Sequence, residues 1–242
     1  MTHSQTLTLK RISHALTVGA IVMVGLSGVI AAAQNQQMEQ KLMAIKQAQA
    51  TNKQKLAQYT WQETETISIK GNVKDTKVYQ VQVGANGQPQ KTEVSEQKAQ
   101  SGGGRQGRVK EHVIEKKTEE YQDYGQEIGA LAKQYTTPDP ERLMQAKQAG
   151  NISLQPGGGS VSLVIRNYVK QGDSLTMTMD EQTHSPVSVQ VNSYLNDPTD
   201  AVTISAHFAQ LPDGTNHVAN TLINGVSKQL TVSEQNSNYQ RM

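Results

Sequence analysis

Cysteine is absent from all 242 residues. That excludes disulfides, thiolate metal sites, thiol nucleophiles and lipidation at an N-terminal cysteine. Aromatic residues are scarce, with a single Phe, a single Trp and eight Tyr, and hydrophobic residues reach only 35%. Any core must therefore be modest and built from Val, Ile, Leu and Met, without covalent staples. Charge of one sign is lacking too: setting aside Lys10 and Arg11 with the first 33 residues leaves 21 basic residues against 21 acidic ones. A neutral chain lacks the basic density that phosphate neutralisation requires, so nucleic acid is not expected as a partner.

One long uncharged run is present. Lys10 and Arg11 precede Ala15 to Ala33, where Val18, Ile21, Val22, Val24, Leu26, Val29 and Ile30 form an apolar stretch. A basic start, an apolar middle and the small residues Ala31-Ala32-Ala33 have the form of a signal peptide over 1–33, with the mature chain starting at Gln34. The alternative is an uncleaved inner-membrane anchor, because 19 uncharged residues fall within the roughly 17 to 25 that span a bilayer. The expected location is periplasmic or secreted, with no integral membrane domain once the leader is cut.

The mature part divides by its periodicity. Residues 34–97 open with a helical pattern from Asn35 to Tyr59, in which Met38, Leu42, Ile45, Leu56 and Tyr59 recur at three- and four-residue steps. From Thr60 the period becomes two, Gly71 marks a turn, and Asn86-Gly87 is a tight hairpin signal before Thr92 and Val94. Three antiparallel strands are predicted here. Residues 98–108, with four glycines, read as a flexible loop. Residues 109–150 are helical: Ile114, Tyr121, Tyr124, Ile128, Leu131 and Tyr135 hold heptad positions, then Asp139-Pro140-Glu141 starts a short helix and Gly150 ends it. Residues 151–232 turn strand-like, with strands at Val161–Ile165, Leu175–Met179, Val187–Val191, Val202–Phe208, Val218–Ile223 and Leu230–Val232 separated by Gly, Asn, Asp and Pro, which implies a meander sharing the domain of the first strands. Around Pro212-Asp213-Gly214 the hairpin is expected to set Phe208 against Val218 and Ile204 against Leu222. Residues 233–242 show no apolar alternation and read as a polar tail.

Chemical motifs are weak. Gly102-x-Gly104-x-x-Gly107 matches a dinucleotide fingerprint in letters, but Glu96 to Ser101 before it is polar where a buried strand is required. Lys91-Thr92 imitates the end of a phosphate-binding loop, with Ala85 and Gln90 where glycines belong. His207 and His217 fall on one outward face roughly 7 Å apart, close enough for two metal ligands, with no third in view beside His112 and His184. Ser160, His184 and Asp180 assemble a hydrolytic set only on paper. Glu63 with Glu65, and Asp180 with Glu181, are carboxylate pairs of the kind common on exposed strands and loops. No residue is assigned as catalytic, cofactor-binding or metal-ligating, and no cofactor or enzyme activity is expected; a hydrolase with an unrecognised site stays the second alternative.

A leader, an amphipathic helix ending in Tyr59-Thr60-Trp61, and long strands at Thr64–Gly71 and Lys77–Val83 resemble the LolA-like periplasmic lipoprotein carriers. The resemblance is architectural. It implies an α+β fold in which a curved antiparallel sheet, half-barrel-like, is covered by amphipathic helices, and it implies transient binding of a lipid, lipoprotein or other hydrophobic ligand. Two features depart from that family: the helical stretch from Val109 to Ala149 is a large insertion, and Phe208 is the one phenylalanine where a carrier's cavity is rich in aromatics. The alternative expectation is an envelope protein–protein interaction module with a filled core, docking through the Ile114 to Tyr135 helix or a strand edge.

Overall fold

A computed structural model describes residues 47–98, 108–136 and 139–242. The signal-peptide reading of 1–33, the start of the first helix and the glycine-rich segment with its Gly102, Gly104 and Gly107 lie outside the described residues. Those described form ten strands and three helices. Helix α1 covers residues 47–56; α2 is Arg108–Thr136 and α3 is Pro140–Gln148. The strands are β1 (Tyr59–Ile69), β2 (Asn72–Val83), β3 (Pro89–Lys98), β4 (Ile152–Gly157), β5 (Ser160–Arg166), β6 (Ser174–Asp180), β7 (Pro186–Tyr194), β8 (Ala201–Gln210), β9 (Asn216–Gly225) and β10 (Leu230–Arg241).

All ten strands belong to one antiparallel sheet in the order β3-β2-β1-β10-β9-β8-β7-β6-β5-β4. Each neighbour follows its predecessor in the chain except at one seam, where β1 pairs with β10. The sheet is open and curved, an α+β half-barrel. Register shifts at Thr60/Gln62, Ile67/Ser68, Val78/Tyr79, Thr178/Met179 and His207/Phe208 are bulges, which bend strands and add twist. Its two edges discourage further pairing: β3 carries Lys91, Glu93 and Glu96, and β4 is short and contains Pro156.

The helix ends follow from local chemistry. Asp139 caps α3, its side chain accepting from Glu141 N at 2.9 Å, with Pro140 in the first turn where a missing N–H costs nothing. After it, Gly150 takes φ +70, the left-handed step that redirects the chain into β4.

Three expectations are corrected. Residues 233–242 are not a tail: β10 runs to Arg241 and pairs with β1 along its length, because its inward residues Glu234 and Asn236 are polar and leave no apolar alternation to read. Strand β4 has no counterpart in the prediction, as Pro156 and Gly157 mask a partly exposed edge. In the β8–β9 hairpin Phe208 does face Val218, but Ile204 faces Ile223 and Leu222 lies opposite Ser205. The bulge at His207/Phe208 inserts one residue on β9, and a one-residue slip exchanges the faces of everything beyond it.

Candidate ligand-binding face

Helices α2 and α3 pack on one side of the sheet. Its floor contains a continuous cross-strand row: Ile67, Val232, Ile223, Ile204, Val191 and Leu175, ending at Ile165 and Ile152. A second row brings Ala206, Val189, Met177 and Leu163 alongside. From above, α2 presents Tyr124, Ile128, Leu131, Ala132 and Tyr135, and α3 presents Leu143 and Ala146, all buried in the same cluster. Tyr124, Ile128, Leu131 and Tyr135 are among the positions the heptad spacing singled out. Gly225 lets α2 come close: a Cβ there would sit 2.5 Å from Ile128 Cδ1 and 2.6 Å from Tyr124 Cε1.

Tyrosine hydroxyls fasten this cover at its rim. Tyr124 donates to Asp200 at 2.7 Å. Tyr135 bonds Asp173 at 2.5 Å and Ser193 at 2.9 Å. Asp173 is held in turn by the backbone N–H groups of Tyr168, Val169 and Lys170 at 2.6 to 3.0 Å. Tyr168 accepts from Asp139 N at 2.7 Å, joining the start of α3 to the β5–β6 turn. Burial, reinforced by the bond to Asp200, pushes the Tyr124 hydroxyl up to about 12; burial and Asp173 raise that of Tyr135 further. Both remain neutral donors at any physiological pH.

Across the seam the same face changes character. Beside Ile67 on β1 come Glu65 and Glu63, both buried; Glu234 on β10 lies directly opposite Glu65, and Lys77 on β2 opposes it from the other side. Lys91 bonds Glu63 and stands 3.6 Å from Glu234, with the Tyr79 ring 5.8 Å from its Nζ. Lys77 is 3.4 Å from Glu96, 3.8 Å from Glu93 and 4.0 Å from Asp75. Burial lowers the Lys91 ammonium, but attraction to Glu234 and Glu63 outweighs it, so Lys91 stays charged. Burial pushes the Glu234 carboxyl up to about 8, with Glu63 and Glu65 adding repulsion that Lys91 only partly offsets.

Beyond the charges is an aromatic corner. Trp61 stacks on Tyr239 with centroids 5.5 Å apart, Tyr59 meets Tyr239 edge-on at 6.5 Å, and His217 packs 4.2 Å from it. Trp61 Nε1 donates to Asn236 at 3.0 Å. Burial lowers the His217 ring below the usual histidine range, keeping it neutral, and its Nδ1 lies 3.0 Å from Val218 O. Asn52 of α1 ties the corner down through two bonds to the Asn216 backbone, at 2.6 and 2.8 Å.

The residues considered for chemistry do not converge. His207 is exposed and pairs with Asn220, whereas His217 is buried against Tyr239. His184 is in a turn at φ +55, and the side chain of His112 lies outside the described residues. Ser160 does sit opposite Asp180, but its hydroxyl donates to Gly157 O while Asp180 accepts from Gln182 and Thr183, so both are spent on turns. Glu181 is exposed. Glu63 and Glu65, expected on an exposed strand, are buried in the ionic cluster, and Lys91 is in β3 with no phosphate-binding loop around it. Among the described residues no group of three or more His, Asp or Glu could hold a metal, and no helix is long and apolar enough to cross a membrane.

No family model and no curated protein matches the chain. Among solved structures, it is similar to a DUF1329 family protein from Desulfovibrio piger, at 7% identity and a TM-score of 0.36 over 82% of this chain and 92% of that one. A LolA superfamily protein from Nitrosomonas europaea is similar at 7% identity and a TM-score of 0.34, covering 80% and 93%. MucB in complex with MucA follows at 11% identity and a TM-score of 0.20, covering 84% and 98%.

Proposed function

We propose that the chain is an exported, non-enzymatic binding protein of the cell envelope that receives the acyl chain of a lipid or lipoprotein on its apolar floor, with α2 as the cover that yields. Export rests on the leader reading of 1–33. The observation that carries the binding reading is an apolar row crossing eight strands under a helix pinned at its rim by tyrosine hydroxyls to Asp200, Asp173 and Ser193. The bonds to the Asp200 and Asp173 carboxylates are worth about 1.5–3 kcal/mol each and that to Ser193 about 1 kcal/mol, a sum that burial of an acyl chain can offset. Met177 and Met179 in the floor suit the task, since their unbranched side chains adapt to a variable occupant.

Native mass spectrometry with lipid extraction, on protein taken from the envelope of its own host, tests this reading. A bound acyl species is the expected result. Removing both latches with Tyr124→Phe and Tyr135→Phe should increase uptake of a hydrophobic dye; uptake unchanged in that variant, together with a bare polypeptide, sinks it.

A second reading, an envelope interaction module, is favoured by one feature: Leu143, Ile128 and Leu131 already fill the space above the floor. It requires the protein to remain bare and to capture an envelope partner that charged substitutions at α2 release.

A further inference from the structure

On the face of the sheet opposite the apolar floor, Thr76, Thr66 and Ser233 line up across β2, β1 and β10, and beyond the exposed Leu222 on β9 come Ser205, Gln190 and Thr176 on β8, β7 and β6. At one end of this face the β1–β10 ladder is interrupted. Thr60 pairs with Gln240 but Gln62 with Ser237, so the bulge places Asn238 and Tyr239 together, with Asn238 at φ +55. The left-handed step turns the Asn238 amide to Gln62, whose Oε1 accepts from it at 2.6 Å.

Beside the bulge is a depression of about 320 Å3 lined by Gln62, Gln80, Asn238, Tyr239 and Gln240. Four of these five residues are primary amides, and none carries a charge. An amide offers two N–H donors and a carbonyl acceptor, the combination that a hydroxyl, itself donor and acceptor, can satisfy. An ion would find no counter-charge here, and an apolar ligand would strip water from amides without replacing their bonds. The volume falls at the low end for small-ligand sites, room for a sugar ring.

We propose that this depression binds a neutral saccharide. Its paired Gln62 and Gln80 belong to the face opposite the apolar floor, so its test stands apart from that of the acyl-binding reading. The protein carries its own reporter, because its single tryptophan, Trp61, stacks on Tyr239 at the rim. Titration of the mature chain with tri-N-acetylglucosamine and with maltotriose, followed by Trp61 fluorescence and calorimetry, should give saturable binding to at least one of them with a dissociation constant on the order of 1 mM. Gln62→Ala combined with Gln80→Ala should weaken it at least about tenfold. Asn238→Gly, which keeps the φ +55 backbone comfortable and deletes only the amide, should also weaken it. Gln190→Ala, on the same face but far along the sheet, should leave it unchanged. No saturation with either saccharide, binding that survives the Gln62, Gln80 and Asn238 substitutions, or tighter binding of a sulfated trisaccharide of equal length would each overturn the proposal.

Discussion

Strands β4 to β9 and strands β10, β1, β2 and β3 handle the same side of one sheet in opposite ways. Under α2 and α3, burial removes Ile, Val, Leu and Met from water, each worth roughly 1.5–3 kcal/mol. Across the seam, burial instead encloses Glu63, Glu65, Glu234, Lys77 and Lys91, where the cost of dehydrating ions consumes most of their mutual attraction. The first half is held by shape and tolerates one lost methyl at a time. The second is held by matching, and no member can be removed alone.

Breaking the match gives the largest expected effect. Lys91→Met strands the Glu63 carboxylate without its ammonium, beside a Glu234 carboxyl that burial keeps protonated, and should cost about 3–5 kcal/mol in urea unfolding. Replacing the set together, with Glu63→Leu, Lys91→Met and Glu234→Leu, should recover most of that loss, since Glu65 keeps Lys77 across from it on β2. A triple variant no more stable than Lys91→Met alone contradicts the contrast. On the apolar side, Ile128→Ala opens a hole above Gly225 and should cost roughly 2–5 kcal/mol, with no partner substitution able to restore it as the ionic set does.

A third contrast separates the halves by pH. The Glu234 carboxyl titrates near 8 in the folded chain, above its ordinary value of 4.5. Between those two values the folded state holds a proton that the unfolded state has released. Stability from this group is therefore complete below 4.5 and declines as pH rises toward 8, by at most about 1.4 kcal/mol per pH unit. Glu234→Gln should flatten urea midpoints measured from pH 5 to pH 9; a slope identical to wild type would place the buried proton elsewhere.

The same contrast explains what the sequence disclosed. Where the floor is apolar, period-two patterns marked β5 to β9 within three residues, and the α2 heptad positions Tyr124, Ile128, Leu131 and Tyr135 proved to be its buried face. Where the floor is charged, Glu63 and Glu65 looked like solvent-facing residues and Glu234 like part of a tail, because hydropathy cannot tell a buried ion from an exposed one. The ion partners lie on four strands, and only the β1–β10 seam brings them together. The amide depression was equally hidden, since it depends on a one-residue irregularity between Thr60 and Gln62. Asp139 and Pro140 show the converse: where a single side chain and its own neighbours decide the outcome, as at the start of α3, the reading is direct.

The seam also sets an order of events. Trp61 reaches Asn236 across 175 positions of chain, and β10 is the last of the described strands to be made. Until then β1 has no partner on that side, and the Glu63, Glu65 and Lys91 cluster lacks Glu234. Closing so long a loop is slow, so the seam forms only after nearly all of the described chain between β1 and β10 has been made.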